Sequence, residues 1–123
     1  MKRFLILICL LFACNLLFAE EILYQKQHKN FDSIDTVALI KSAEDWYCIS
    51  IVIAEDVDAI EKYMIYDTSL ERIQDLLFLF EKEKTYKNRI SRMEKVETLD
   101  FLKEETKILE GHIVRIKHYM YMK

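Results

Sequence analysis

Apolar residues recur along residues 39–64 with the spacing of a helix. The steps between core-type positions alternate between four and three residues, which keeps one face of a helix in register. The centre of the stretch, residues 46–54, is apolar on nearly every side, so several neighbouring elements are expected to cover it. The core-type positions are Leu39, Ala43, Trp46, Ser50, Ile53, Val57, Ile60 and Met64.

The helical pattern extends over residues 34–66, and Asp32 or Ser33 can cap its start by accepting a hydrogen bond from the first free amides. A strand is the alternative over residues 48–53, because this segment is rich in isoleucine and valine. A single strand needs partners, however, and no other stretch of the chain shows comparable β character. The sequence therefore favours a long helix over 34–66.

A second helix is predicted over residues 69–95. It follows a polar break in which Thr68 and Glu71 have the spacing of a capping box. A short turn between two long helices makes them antiparallel neighbours. The two segments are therefore predicted to form a helical hairpin. The apolar face of the second helix consists of Leu70, Ile73, Leu77 and Phe80.

A third helix is predicted over residues 99–121, where apolar residues return at heptad spacing. Gly111 would lie inside this helix at a cost of about 1 kcal/mol relative to alanine, and close packing against the Trp46 region would explain it. Residues 20–30 form either a short helix or a lead-in. The predicted fold class is all-α: one domain over 20–123, built as an antiparallel helical hairpin or a bundle of three to four helices with coiled-coil packing.

The first nineteen residues are predicted to be a signal peptide. Lys2 and Arg3 precede an apolar run over residues 4–13, and Ala19 precedes an acidic start. This run is about half the ~20 residues of a membrane-spanning helix, so the mature chain is expected to have no transmembrane helix. Cleavage after Ala19 would send the protein to the periplasm or the extracellular space. The alternative is a lipid anchor on Cys14, which is disfavoured because bulky apolar residues follow it directly.

Charge argues against a nucleic-acid partner. The 123-residue chain has a net charge of −3, with 18 basic and 21 acidic residues. Loss of Lys2 and Arg3 with the signal peptide leaves 16 basic residues against the same 21 acidic ones, a net charge of −5. Binding to nucleic acid depends on neutralising phosphates. Such a partner is therefore not expected.

Candidate chemistry is sparse. Cys48 is the one cysteine outside the signal peptide, which excludes an intramolecular disulfide, and it is expected to be a small buried apolar residue. The chain has no glycine-rich phosphate loop and no paired histidines at metal-binding spacing. His28, His112 and His118 are accordingly interpreted as ordinary histidines. The sequence predicts no catalytic residues, no metal and no cofactor, and hence no enzyme.

The C-terminal tail is the candidate interaction element. Chain ends are seldom deeply buried, and exposed tyrosine and methionine are typical of adaptable contact surfaces. The candidate residues are Tyr119, Met120, Tyr121 and Met122.

Two functional hypotheses follow from these observations. The first is an exported, non-catalytic module of the cell envelope that binds a protein partner or associates with itself. The alternative is a module that binds a small ligand or a metal in a pocket between helices near Trp46, Cys48 and His112.

Overall fold

A computed structural model describes residues 21–42, 45–56, 59–96 and 99–121 of the chain. This part of the chain forms a six-stranded β-sheet and two helices. The strands are β1 (Glu21–Lys29), β2 (Ile34–Lys41), β3 (Tyr47–Asp56), β4 (Ala59–Asp67), β5 (Leu99–Leu109) and β6 (His112–Tyr121). The helices are α1 (Leu70–Lys82) and α2 (Tyr86–Val96).

The sheet has the strand order β1-β2-β3-β4-β6-β5. The first four strands form an antiparallel meander. The chain then passes through α1 and α2 and returns as the β5–β6 hairpin, which places β6 parallel to β4. One end of the sheet therefore carries the start of β1 and the ends of β4 and β6, together with the turn between β2 and β3. We call this the entry end of the sheet.

The all-α prediction is wrong, and so are the predicted helical bundle and coiled coil. Residues 34–66, expected to form one long helix, are the strands β2, β3 and β4. Segment 48–53 is the central β3, and its residues are buried on both faces of the sheet. A strand that is buried on both sides has apolar residues at consecutive positions and lacks the alternation of polar and apolar residues. In the sequence, such a run cannot be distinguished from a helix that is buried on all sides. The isoleucine and valine content was the correct signal here.

The segment predicted as a helix over 69–95 consists of two helices separated by residues 83–85. The side chain of Ser69, and not that of Thr68, caps α1 by accepting a hydrogen bond from the Arg72 amide at 3.3 Å. The hydroxyl of Thr85 accepts a hydrogen bond from the Asn88 amide at 3.2 Å and so caps the start of α2.

The helix predicted over 99–121 is the β5–β6 hairpin, and residues 21–29 are strand β1. Ile108 pairs with Ile113 and Leu109 pairs with His112, which leaves Glu110 and Gly111 as a two-residue loop. Both loop residues have positive φ angles, 54° and 81°. Positive φ at both positions is typical of the type I′ turn, whose twist suits a β-hairpin. Gly111 therefore serves the turn and does not pack against the Trp46 region.

Both helices pack on the same face of the sheet, which we call the helix-side face. Every buried apolar residue of α1 and α2 belongs to a single cluster with the strand residues of this face. The aromatic ring of Phe80 lies at its centre, edge-on to Tyr86 at 5.9 Å between ring centroids. The strand residues of the cluster are Val37, Leu39, Ile49, Ile51, Ile53, Tyr63, Ile65 and Tyr119.

An ion pair between the buried Asp67 carboxylate and the partly exposed Arg72 side chain fixes the junction between β4 and α1. The Asp67 carboxylate accepts two hydrogen bonds from the Arg72 guanidinium, at 2.7 and 3.0 Å, and a third from the Ser69 amide at 3.0 Å. Burial alone would raise the pKa of Asp67, but these donors outweigh it and hold that pKa below its ordinary value of 3.8. A carboxyl with a lowered pKa stabilises the fold above that value, and the stabilisation is lost as the pH falls through the folded-state pKa.

Substitution of Gly111 distinguishes the hairpin from a helix. In a helix, Gly111→Ala would raise the free energy of unfolding by about 1 kcal/mol. At a φ of 81° we expect it to fall by about 1–2 kcal/mol, because a side chain is strained in the left-handed region. Chemical denaturation measures the difference. Glu110→Asn is the matched control, since asparagine tolerates this conformation, and its stability should equal or exceed that of the parent chain.

Candidate binding site on the distal face of the sheet

The second apolar cluster lies on the sheet face opposite the helices, which we call the distal face. Its buried members all come from β2, β3, β4 and β6, and none comes from α1 or α2. They occupy alternate positions along each strand, as expected for side chains that point to one side of a sheet. They are Ile34, Ala38, Ile40, Cys48, Val52, Ala54, Ile60, Met64, Val114 and Ile116.

Three polar side chains lie among these apolar residues. Thr36, Val52, Lys62 and Ile116 are paired in one row across the sheet, and Ser50 lies two residues along β3 from Val52. Thr36 is 2% exposed and Ser50 is 0% exposed, and neither hydroxyl oxygen has a hydrogen-bond partner. A buried hydroxyl without a partner is destabilising by about 1–3 kcal/mol.

A groove of about 250 Å³ lies at the entry end of the sheet. The row Ile40, Cys48, Tyr66 and Met120 continues the distal face into it. Ser42 and Trp46, which follow β2 and precede β3, form one wall, and the edge strand β5 contributes Leu102. The described residues that line it are Ser42, Trp46, Tyr66, Leu102 and Met120. An apolar lining with a few polar groups is typical of sites that bind small molecules.

A chain of hydrogen bonds leads from the groove to the edge of the sheet. The Tyr66 hydroxyl is 2.9 Å from Nδ1 of His118, and Nε2 of His118 is 3.2 Å from the Glu105 carboxylate. The Tyr66 and His118 rings are nearly parallel, with centroids 5.8 Å apart. Three adjacent strands, β4, β6 and β5, therefore supply one residue each, and the sheet register holds them in line.

The tautomer of His118 sets the direction of its hydrogen bonds to Tyr66 and Glu105. With the proton on Nε2, the neutral imidazole donates to Glu105 and accepts the Tyr66 hydroxyl proton, so both bonds form. Burial alone would raise the pKa of Glu105, but the hydrogen bond from His118 and the ammonium groups of Lys103 and Lys107 lower it below 4.5. Glu105 is therefore charged at neutral pH.

His118 is placed to orient the Tyr66 hydroxyl, because one of its ring nitrogens contacts that hydroxyl and the other contacts the Glu105 carboxylate.

The predicted interaction residues do not share one surface. Tyr119 is buried on the helix-side face, where its hydroxyl donates to the Glu94 carboxylate at 2.5 Å and its ring contacts Phe101 edge-on. Met120 points to the opposite face and lines the groove. The backbone of Tyr121 ends strand β6, while its side chain and Met122 lie outside the described residues. A role of this tail in partner binding stays a prediction.

The pocket predicted near Trp46, Cys48 and His112 is divided in the structure. Trp46 lines the groove, and Cys48 is buried beside it on the distal face, paired with Tyr66. His112 begins β6 at the opposite end of the sheet, eight residues before Met120. Within the described residues, no group of three or more histidine, cysteine or acidic side chains is arranged to hold a metal ion.

Sequence reasoning missed Tyr66, Glu105 and Thr36. Tyr66 and Glu105 are 39 residues apart in the chain, and only the parallel pairing of β4 with β6 brings them together. If residues 34–66 had been assigned as three strands, the alternation of side chains would have placed Thr36 and Ser50 among apolar residues on one face of the sheet. Polar residues at such positions were the available signal for this face.

The comparisons with known proteins identify no relative. Neither a protein family, nor a curated protein, nor a solved structure matches the chain. Across the part of the chain that the structure describes, no helix has both the length and the hydropathy to cross a membrane.

The unpartnered hydroxyl of Thr36 provides a test of the distal face. Thr36→Val keeps the shape of the side chain and removes the oxygen, so we expect the free energy of unfolding to rise by about 1 kcal/mol. Thr85→Val is the matched control. It removes the hydroxyl that caps α2 and should lower stability by about 1 kcal/mol. Equal losses in the two variants, measured by urea denaturation, would contradict the burial of an unpaired oxygen at Thr36.

Proposed function

We propose that this protein is an exported, non-catalytic binding protein that holds a small amphipathic molecule in the groove at Trp46. The observation that carries the proposal is the groove itself, in which an apolar lining meets a tyrosine hydroxyl held in place by His118 and Glu105. The basic start, apolar run and Ala19 at the N-terminus support export. The net charge of −3 argues against a nucleic-acid ligand.

The dimensions and chemistry of the groove restrict the ligand. A volume of about 250 Å³ lies below the ~300–1,000 Å³ typical of sites for drug-sized molecules. The groove therefore accepts a compact ligand or one end of a longer one. Trp46, Leu102 and Met120 supply apolar contact, while Ser42 and Tyr66 are the hydroxyl-bearing residues of the lining. An alcohol or an amine with an apolar body matches such a lining.

Trp46 is the sole tryptophan, so its fluorescence reports directly on the groove. We expect dodecanol or naphthol to change the emission of the chain over residues 20–123, with saturation at increasing concentration. Tyr66→Phe removes the hydroxyl and keeps the ring. The dissociation constant of the alcohols should rise about fivefold, because a lost hydrogen bond corresponds to about 1 kcal/mol.

Tyr24→Phe is the control for this titration, because Tyr24 is an exposed tyrosine on the opposite edge strand β1. The affinity of the Tyr24→Phe variant for the alcohols should match that of the parent chain. Emission that stays constant for every member of a panel of alcohols, amines and fatty acids would rule out the groove as a binding site.

A second candidate function is association with a protein partner or with another copy of the chain. The observation that favours it is the tip of the β5–β6 hairpin, where Ile108 and Ile113 form a cross-strand pair and are 74% and 54% exposed. β6 pairs with β4 over Val114–Met120 alone, so this tip extends past the end of that pairing. Two adjacent exposed isoleucines at a protruding tip are suited to burial against another protein.

Replacement of Ile108 tests the role of the hairpin tip. If the tip mediates self-association, Ile108→Lys should shift the mass measured by light scattering from that of an oligomer to the 14.8 kDa of one chain, or to that of the shorter cleaved chain. The charge would have to be buried at the interface, which is strongly unfavourable. Leu23→Lys places the same charge at an exposed leucine on β1 and should leave the mass unchanged. A monomeric parent chain would exclude self-association through the tip.

A further inference from the structure

The outer edge of strand β5 is open. β5 is the last strand in the sheet order, and within the described residues no strand pairs with its outer side. Between Asp100 and Ile108 every side chain except that of Glu105 is exposed. The edge of a sheet presents unpaired backbone amides and carbonyls, which can pair with a strand of another chain.

The hairpin turn determines which backbone groups of β5 face outward. Leu109 and His112 flank the two-residue loop, and such a pair is hydrogen-bonded in a β-hairpin. Hydrogen-bonded and non-hydrogen-bonded pairs alternate along antiparallel strands, and the register of β5 with β6 is regular from Leu109 back to Lys103. Every second residue in this segment therefore directs its amide and carbonyl away from β6. These residues are Glu104, Thr106 and Ile108.

The regular part of β5 is symmetrical about Thr106. A bulge between Phe101 and Lys103 interrupts the pairing at one end, and the turn that follows Leu109 ends it at the other. A bulge bends the strand and so limits what can pair with its edge. The segment available to a second strand is therefore 103–109, and Thr106 is its centre.

The charges of β5 select the same centre. Two copies of a strand related by a two-fold axis perpendicular to the sheet pair antiparallel, with each residue opposite one on the same face. If the axis passes through Thr106, Glu105 of each copy is opposite Lys107 of the other. An axis at Glu104, Glu105 or Lys107 would instead place two identical charges opposite each other. Opposite charges across a strand pair are stabilising and like charges are destabilising.

The other edge of the sheet lacks this complementarity. The pairing of β1 with β2 is regular from Tyr24 to Lys29. The charged side chains of this segment include Lys26 and Lys29 but no carboxylate. A second copy of β1 therefore has no opposite charges to offer. Of the two edges, β5 is the one suited to pairing with itself.

We propose that two copies of the chain pair antiparallel through β5, with the two-fold axis at Thr106. Glu104 then pairs with Ile108 of the other copy, and Thr106 pairs with Thr106. These pairs contribute about six backbone hydrogen bonds, and the two sheets become one. Both distal faces, each with its groove, lie on the same side of the dimer.

This inference rests on the second candidate function, self-association, and places the contact at the edge of β5 instead of at the hairpin tip. It does not depend on the ligand of the groove.

Charge reversal at the paired positions tests this register. The chain over residues 20–123 contains every described strand and helix, and we expect light scattering to give the mass of two chains. Lys107→Glu places a glutamate opposite Glu105, and Glu105→Lys places a lysine opposite Lys107. Each variant should therefore raise the dissociation constant of the dimer about tenfold. An equimolar mixture of the two restores both pairs of opposite charges and should dimerise like the parent chain, which also shows that both variants are folded.

Lys103→Glu is the matched control. Lys103 and Lys107 each form an ion pair with Glu105 of their own chain, at 3.3 and 3.6 Å. In the proposed register, however, Lys103 is opposite Leu109 of the second copy and not opposite a charge. The control has the same change of charge on the same face of the strand, and it should leave the dimer intact.

Ile108→Lys distinguishes the strand edge from the hairpin tip. In the edge pairing the new ammonium group is opposite Glu104 of the second copy, so the dimer should persist, whereas association through the tip would be lost. Dissociation of this variant would overturn the edge pairing and retain the tip. A mixture of the two charge variants that stays monomeric would overturn it as well.

Two results for the parent chain bear on the proposal as a whole. A monomeric parent chain would overturn both the edge pairing and the second candidate function. Masses that grow beyond two chains with concentration would indicate head-to-tail pairing of β5 with β1 and would also overturn it. A dimer with no Trp46 response to alcohols or amines would retain the pairing and reject the proposed ligand.

Discussion

The structure depends on the requirement that a sheet apolar on both faces be covered on both. β3 lies near the centre of the sheet with every residue from Cys48 to Ala54 buried, so its side chains need partners above and below. On one side α1 and α2 supply them through Ile73, Phe80 and Met93. On the other side the small residues around Ser50 and Thr36 need a different cover.

The groove and its polar chain follow from the register of the sheet. Cys48, Tyr66 and Met120 share one row, so the apolar face ends in a lining of sulfur and aromatic atoms. His118 lies on the next row, where its ring stacks on Tyr66 and reaches the Glu105 carboxylate on β5. A shift of β6 by one residue would turn His118 to the helix-side face and remove the chain of hydrogen bonds. The geometry of the candidate site therefore depends on the register between β4 and β6.

The sequence allowed part of this to be predicted. The polar break before α1 and the helical spacing of Ile73, Leu77 and Phe80 are local signals, and the structure has a helix there. The strands were missed because residues 39–64 satisfy the three-and-four spacing of a helix by coincidence, while burial on both faces removes the alternation that marks a strand. The turns carry few of the usual residues: Asp45 and Glu110 both adopt positive φ angles that glycine normally occupies. Tyr66 and Glu105 could not be joined without the topology.

The parallel pairing of β4 with β6 also affects the order in which the strands pair during folding. Its residues are 54 positions apart in the chain, as in the pair Ile60 and Val114, whereas the β1–β4 meander needs only contacts between neighbours. Contacts between distant residues form slowly, because a long loop must close before they are gained. The sheet is consequently incomplete until the last ten residues of the described chain are in place.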